Sequence, residues 1–118
     1  MSPNLDSLIT EETLVVRARA LRPWLEGRVA QATALRRVPD ETMRDFEASG
    51  LHLAVVPKRY GGYELNPRVI FDMQLELGRA CPSSAWVFGV LSVHTWQLAL
   101  FPLETQEEIW GGGRHPWI

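Results

Sequence analysis

The chain has 118 residues, of which 46% are hydrophobic and 22% charged. This length and composition fit one folded domain and exclude a disordered or fibrous protein. Twelve Lys and Arg residues against 14 Asp and Glu give a formal net charge of −2, so the chain lacks the basic excess that binds nucleic-acid phosphates.

Residues 1–9 are interpreted as an N-terminal tail, and a long helix is predicted to begin at Thr10. Thr10 is a suitable N-cap, and two acids follow it where carboxylates favour the positive end of the helix dipole. Pro23 interrupts the segment, so it is either one kinked helix or two helices that meet near Arg22. We favour one kinked helix that ends near Arg37. Its apolar stripe consists of Leu14, Ala18, Leu21, Leu25, Ala32 and Leu35.

A short second helix is predicted over residues 41–49, with Met43 and Phe46 facing inward. Gly50 ends it, because glycine adopts the left-handed conformation that commonly follows a helix. The apolar residues 51–56 are predicted to be extended, although they are too few to indicate a sheet.

A turn at Gly61 and Gly62 comes next, and we expect a positive φ angle at one or both of these glycines. Asn66 and Pro67 then open a third helix, since an Asn cap followed by proline is a typical helix start. The predicted buried stripe of this helix consists of Val69, Ile70, Met73 and Leu77.

A fourth helix is predicted over residues 85–101, capped by Ser83 or Ser84. It contains no formal charge, but polar residues interrupt it and no basic flanks anchor it, so a buried bundle helix is favoured over a membrane span. A last short helix over residues 104–110 gives an all-α bundle of about five helices over residues 10–111. The aromatic residues expected to be buried in the fourth helix are Trp86, Phe88, Trp96 and Phe101.

Few residues point to chemistry. The histidines at 52, 94 and 115 lack metal-ligand spacing, so we expect no metal site. Cys81 has no partner for a disulfide or a zinc site, and the N-terminus shows no secretory signal, which together predict a cytoplasmic protein.

His94 is the one candidate site residue that the pattern itself singles out. An imidazole in an uncharged helix is expected to be desolvated and to need a partner. It is either a core histidine bonded to a backbone carbonyl or to Gln97, or a pocket residue that meets a ligand. Trp86 lies about 80° round the helix from His94, so both side chains could border one cavity.

Three segments resemble a known family. They are VPKRYGG at 56–62, LELGRACPSSAW at 75–86 and FPLETQEEIWG at 101–111. They are similar to the N-terminal helical domain of the acyl-CoA dehydrogenase superfamily, and most similar to its flavin-dependent monooxygenase branch. That branch includes the two-component hydroxylases of phenolic secosteroids and of hydroxyphenylacetate.

The resemblance implies a site and its chemistry. Reduced flavin, either FMN or FAD, would come from a separate flavin reductase and react with O₂ to hydroxylate a small aromatic substrate. Trp86 and His94 would be substrate-binding residues, and His94 would be catalytic by bonding or deprotonating the phenolic oxygen. The family also implies a homo-oligomer, a tetramer in its known members.

The chain departs from the family in length and at its end. Family members continue into a β-domain and a second helical domain, which hold most of the flavin site. Here residues 112–118 form an atypical tail that we interpret as a probable truncation. We therefore expect a fragment that is inactive and binds no flavin by itself. The alternatives are a fragment of an FAD-dependent acyl-CoA dehydrogenase and a non-catalytic helical interaction module.

Overall fold

A computed structural model describes residues 8–118, and every regular element within that range is helical, which confirms the all-α prediction. Residues 1–7 of the predicted tail lie outside the described residues. Two short 3₁₀ helices, Leu51–Leu53 and Lys58–Tyr60, lie between the fourth and fifth α-helices. The α-helices are α1 (Glu11–Ala20), α2 (Arg22–Gly27), α3 (Val29–Leu35), α4 (Asp40–Ala48), α5 (Arg68–Gly78), α6 (Pro82–Leu98) and α7 (Leu103–Trp110).

The prediction of one kinked helix from Thr10 to Arg37 is wrong. Thr10 does cap α1, and its side chain accepts a bond from the Thr13 amide at 3.2 Å. The segment then breaks twice, before Pro23, which lies in the first turn of α2, and again at Arg28. Proline cannot donate to the preceding turn, so α1 ends and a new helix starts there. Within residues 8–118 there are therefore seven α-helices where about five were predicted, because the segment predicted as the first helix forms three.

The core lies where α5 packs against both α1 and α6. The predicted stripe of α5 is confirmed, since all four of its residues are buried. Phe46 from α4 is fully buried against Phe88 of α6, with ring centroids 5.2 Å apart in an edge-on arrangement, whereas Met43 is only half-buried. Each large apolar side chain in this core stabilises the fold by about 1.5–3 kcal/mol.

The segment after α4 is compact rather than extended. Gly50 has φ 73°, as predicted, and the chain then forms the first 3₁₀ helix. The following backbone bonds to residues 63–65, including Leu65 N to Ala54 O at 2.9 Å, but no strand forms. Local left-handed geometry at Gly50 starts a turn that the apolar composition of residues 51–56 does not reveal.

Helix α6 differs from its prediction in start and in burial. It begins at Pro82 with Cys81 as its N-cap, so both Ser83 and Ser84 lie inside the helix rather than capping it. Of the four aromatic residues expected in the core, only Phe88 is buried, because the apolar residues of α6 surround the helix while the core covers one side. The exposed fractions of the others are 69% for Trp86, 37% for Trp96 and 46% for Phe101.

The chain end folds back over the core after α7. Tyr60 Oη donates to Glu107 of α7 at 2.8 Å, and Trp110 is buried. Residues 112–118 then return toward α4, where Trp117 contacts the rings of Phe46 and Phe88. Among residues 8–118, no helix is long and apolar enough to cross a membrane.

Candidate functional site

The side of α6 that faces away from the core carries the candidate site. Trp86, Val90 and His94 follow one another at four-residue spacing, so they form a row along this side. All three are exposed, whereas Phe88, on the opposite side of α6, has no exposed surface. The two sequence-predicted site residues therefore lie on the same outward surface.

His94 is exposed rather than desolvated, which corrects the prediction of a buried imidazole. Its Nδ1 lies 2.7 Å from the carbonyl oxygen of Val90, one turn earlier. A carbonyl oxygen only accepts hydrogen bonds, so Nδ1 must carry the proton, and a neutral ring then has its lone pair at Nε2. The backbone bond therefore does not exclude a ligand role, because Nε2 is left to accept a bond from outside.

Trp86 lines a cavity that does not include His94. A cavity of about 670 Å³ lies between the α3–α4 connection and the start of α6, and His94 is not among its lining residues. The two residues are separated by about 12 Å along the helix axis. The structure thus places Trp86 and His94 on one surface without joining them in one cavity. The cavity is lined by Ala32, Thr33, Arg36, Arg37, Val38, Pro82, Ser83, Ser84, Trp86 and Val87.

Helix α5 extends this surface. Gln74 of α5 donates to the Ala85 carbonyl of α6 at 3.0 Å, which fixes the two helices side by side. Phe71 and Leu75 lie opposite the core-facing side of α5, and they are 55% and 69% exposed. We call the combined surface of Phe71, Leu75, Trp86, Val90 and His94 the outer face.

The sequence reasoning missed the α5 part of the outer face. Phe71 and Leu75 fall outside the buried stripe of α5, which already supplies the core side of that helix. Large apolar residues outside such a stripe indicate an exposed apolar surface, and this was the available signal. A backbone carbonyl was one of the two predicted partners of His94, and the structure shows that it is the carbonyl of Val90, four residues earlier in the helix.

The outer face offers one open wall rather than an enclosed site. Among the described residues, no cluster of three His, Cys, Asp or Glu side chains is placed to hold a metal ion.

Comparison with known families decides the assignment. The acyl-CoA dehydrogenase N-terminal domain matches residues 10–112. This chain belongs to that family. The resemblance inferred from the three sequence segments is confirmed.

Relatives of this domain include flavin-dependent hydroxylases. The oxygenase subunit HsaA of a flavin-dependent monooxygenase from Rhodococcus jostii (strain RHA1) is 36% identical over 95 residues, which is 80% of this chain and 25% of that protein. The oxygenase component of p-hydroxyphenylacetate 3-hydroxylase from Acinetobacter baumannii is 35% identical over 98 residues, covering 83% of this chain and 23% of that protein.

The fold is shared as well. The crystal structure of the HsaA monooxygenase from M. tuberculosis superposes with a TM-score of 0.83 at 32% identity, covering 87% of this chain and 28% of that one. This chain thus spans about a quarter of the length of the curated relatives that it matches.

Proposed function

We propose that this chain is the N-terminal helical domain of a flavin-dependent monooxygenase that hydroxylates a phenolic substrate, and that its outer face is one wall of the substrate site. The observation that carries the proposal is the His94 geometry, in which the Val90 carbonyl holds Nδ1–H of an exposed ring and leaves Nε2 to accept another bond. The named activities of its relatives support the reaction class.

His94 acts as the proton acceptor in this proposal. A phenol O–H donates to Nε2, and transfer of the proton leaves a phenolate, whose ring carbons are stronger nucleophiles. The bond to Val90 holds the ring in the required tautomer and orientation, as a base needs a fixed partner on its other nitrogen. Trp86 and Val90 supply the apolar surface against which an aromatic ring rests.

The proposed reaction also needs a flavin and a flavin reductase. Reduced flavin, FMN or FAD, supplies the activated oxygen when it is bound, and a separate reductase delivers it. The outer face is only one wall, so this chain by itself is proposed to bind no flavin and to be inactive. A cytoplasmic homo-oligomer is the proposed state of the full-length enzyme, in which other domains cover the outer face.

A chimera tests the proposal. Residues 10–112 replace the matching N-terminal quarter of the Acinetobacter hydroxylase component, and hydroxylation of p-hydroxyphenylacetate is measured with reduced flavin and O₂. Flavin binding and oligomer size report whether the chimera has folded. His94→Gln keeps a hydrogen-bonding group but cannot act as the base, and it is expected to lower kcat by about 100-fold while flavin affinity stays within about twofold.

Gln97→Ala is the matched control, since Gln97 is an exposed polar residue on the same helix. It is expected to leave turnover unchanged. A folded, flavin-binding chimera whose turnover is indifferent to His94→Gln would refute the catalytic role. Reduction of an electron acceptor by acyl-CoA, without phenol hydroxylation, would instead show dehydrogenase chemistry.

A further inference from the structure

The C-terminal segment 114–118 is anchored far from its own place in the sequence. Trp117 Nε1 donates to Glu47 Oε1 at 2.9 Å, across 70 residues. His115 Nε2 contacts the carbonyl oxygen of Tyr60, and it lies over Gly61, where an added Cβ would be 3.4 Å from the imidazole. Two separate polar anchors therefore hold this segment against the helical body.

Three aromatic rings pack against the half-buried Trp117 indole. Its centroid lies 6.4 Å from that of Phe46 and 6.3 Å from that of Phe88, and both contacts are edge-on. His52 lies on a further side, with its centroid at 5.7 Å and a tilted ring. Edge-on contacts of this kind stabilise aromatic pairs beyond simple burial.

The polar contact makes the surroundings specific for an indole. Oε1 of Glu47 accepts the one hydrogen bond that an indole can donate. We call the set Phe46, Glu47, His52 and Phe88 the aromatic groove. It offers apolar contacts to the ring system and one acceptor to its N–H, as small-molecule sites typically do.

The aromatic groove is distinct from the outer face. Phe88 is two residues from Trp86, which places the two side chains about 160° apart around α6. The connection to the segment also permits release, because residues 111–113 are all glycine and Gly113 adopts φ 82°.

We propose that the aromatic groove is a binding site for a small molecule that contains an indole ring with a free N–H, and that Trp117 occupies it as an intramolecular ligand. Release of segment 114–118 exposes the groove, and a free indole then takes the position of the Trp117 side chain.

The test uses the full 118-residue chain with Trp117→Ala, and indole as the probe in a calorimetric titration. The variant is expected to bind indole about tenfold more tightly than the unsubstituted chain, in which the tethered Trp117 competes at high effective concentration. The probe 1-methylindole, which has no N–H, is expected to bind about threefold more weakly than indole.

Three controls make the result specific. Trp24→Ala removes an exposed indole elsewhere, and it is expected to bind indole no better than the unsubstituted chain. Adding Glu47→Ala to Trp117→Ala should make indole and 1-methylindole bind equally. If Trp117→Ala loses helical circular dichroism, indole is expected to restore it.

The proposal fails if folded Trp117→Ala binds no indole, or if the unsubstituted chain binds it equally well. It also fails if an unfolded variant is not restored by indole, or if 1-methylindole binds Trp117→Ala as well as indole does. None of these outcomes bears on the proposed monooxygenase function, because no flavin or phenol takes part in the measurement.

Discussion

At Gly62 a side chain of any size would collide with the backbone. An added Cβ would lie 2.0 Å from the carbonyl oxygen of Val56, so the turn would have to move. Gly62→Ala is expected to lower the free energy of unfolding by about 2–4 kcal/mol. Gly61 has φ 88°, a conformation that is strained for a residue with a Cβ. Gly61→Ala is therefore expected to lower the free energy of unfolding by about 1–2 kcal/mol. Chemical denaturation measures both.

Gly112→Ala is the matched control, because an added Cβ there meets nothing within 4 Å. Its effect should stay within about 0.5 kcal/mol. Equal stabilities for the Gly62 and Gly112 variants would contradict the close approach of Gly62 to Val56. The positive φ angle at this turn was predictable from the glycine pair, but the contact with Val56 was not, since it depends on the path of the preceding loop.

His52 gives the domain a dependence on pH. Burial lowers the pKa of His52, the Glu47 carboxylate partly opposes this by raising it, and His115 lowers it further. Its Nδ1 is buried and has no hydrogen-bond partner within residues 8–118. The unfolded chain, with an ordinary histidine pKa of about 6.5, binds a proton more readily than the folded one. Stability is therefore expected to fall as the pH drops below about 6.5, and His52 should contribute no change above it.

Denaturation midpoints at a series of pH values test this prediction. Carboxylates also titrate on the acid side, so the comparison is with His52→Gln, in which part of the decline near pH 6 should be missing. Identical pH profiles for the two proteins would show that His52 is not the group responsible.

At the scale of elements, the contact between α5 and α6 depends on a small residue. An added Cβ at Gly89 would lie 2.1 Å from Nε2 of Gln74, the group that bonds to Ala85 O. Gly89→Ala displaces this amide and is expected to destabilise the domain by about 1–2 kcal/mol. Combined with Gln74→Ala, the total loss should be smaller than the sum of the single losses.

Gly78→Ala provides the comparison on α5. There an added Cβ would meet Ala85 at 3.6 Å, an ordinary contact. A neutral or slightly stabilising effect is expected, since alanine is the better helix former. Strict additivity of the Gly89 and Gln74 substitutions would contradict the proposed steric conflict between them.

Local signals predicted some elements and failed for others. The buried stripe of α5 and the stop at Gly50 follow from spacing and backbone preference alone. The predicted ends of α5 are wrong, because its N-cap is Pro67 rather than Asn66 and Gly78 lies inside the helix. The break at Arg28 was not predicted, although Gly27 directly before it is a poor helix former. The Arg28 side chain pairs there with Asp45 of α4, 17 residues away, at 2.7 Å. Burial in α6 could not be assigned from composition, since uncharged residues surround that helix and only packing selects the Phe88 side.

The candidate site was predictable to a similar extent. Helical spacing placed Trp86 and His94 on one surface, and the family resemblance made them the candidates for substrate binding. The spacing could not show that they lie outside a common cavity, nor that Val90 fixes the imidazole, because both depend on the positions of neighbouring backbone and side chains.

At the scale of the whole molecule, large apolar side chains remain exposed on the outer face. Patches of this kind promote association. The chain is therefore expected to self-associate with rising concentration in sedimentation experiments. Phe71→Glu combined with Leu75→Glu should shift the distribution toward monomer at unchanged helicity.

Val16→Glu is the control for that shift, because Val16 is 50% exposed on α1, away from the outer face. It is expected to leave the association unchanged. If Val16→Glu shifts the distribution toward monomer as much as the double variant does, association is not specific to the outer face.

The most direct test of the central claim is the protonation pattern of the His94 ring. Long-range ¹H–¹⁵N NMR of the 118-residue chain at neutral pH distinguishes the two tautomers, and the His94→Gln variant assigns the His94 signals among the three histidines. We expect a neutral ring protonated at Nδ1, with Nε2 as the unprotonated nitrogen. A neutral ring protonated at Nε2 would contradict it, since Nδ1 could not then donate to Val90 and no lone pair would face a substrate.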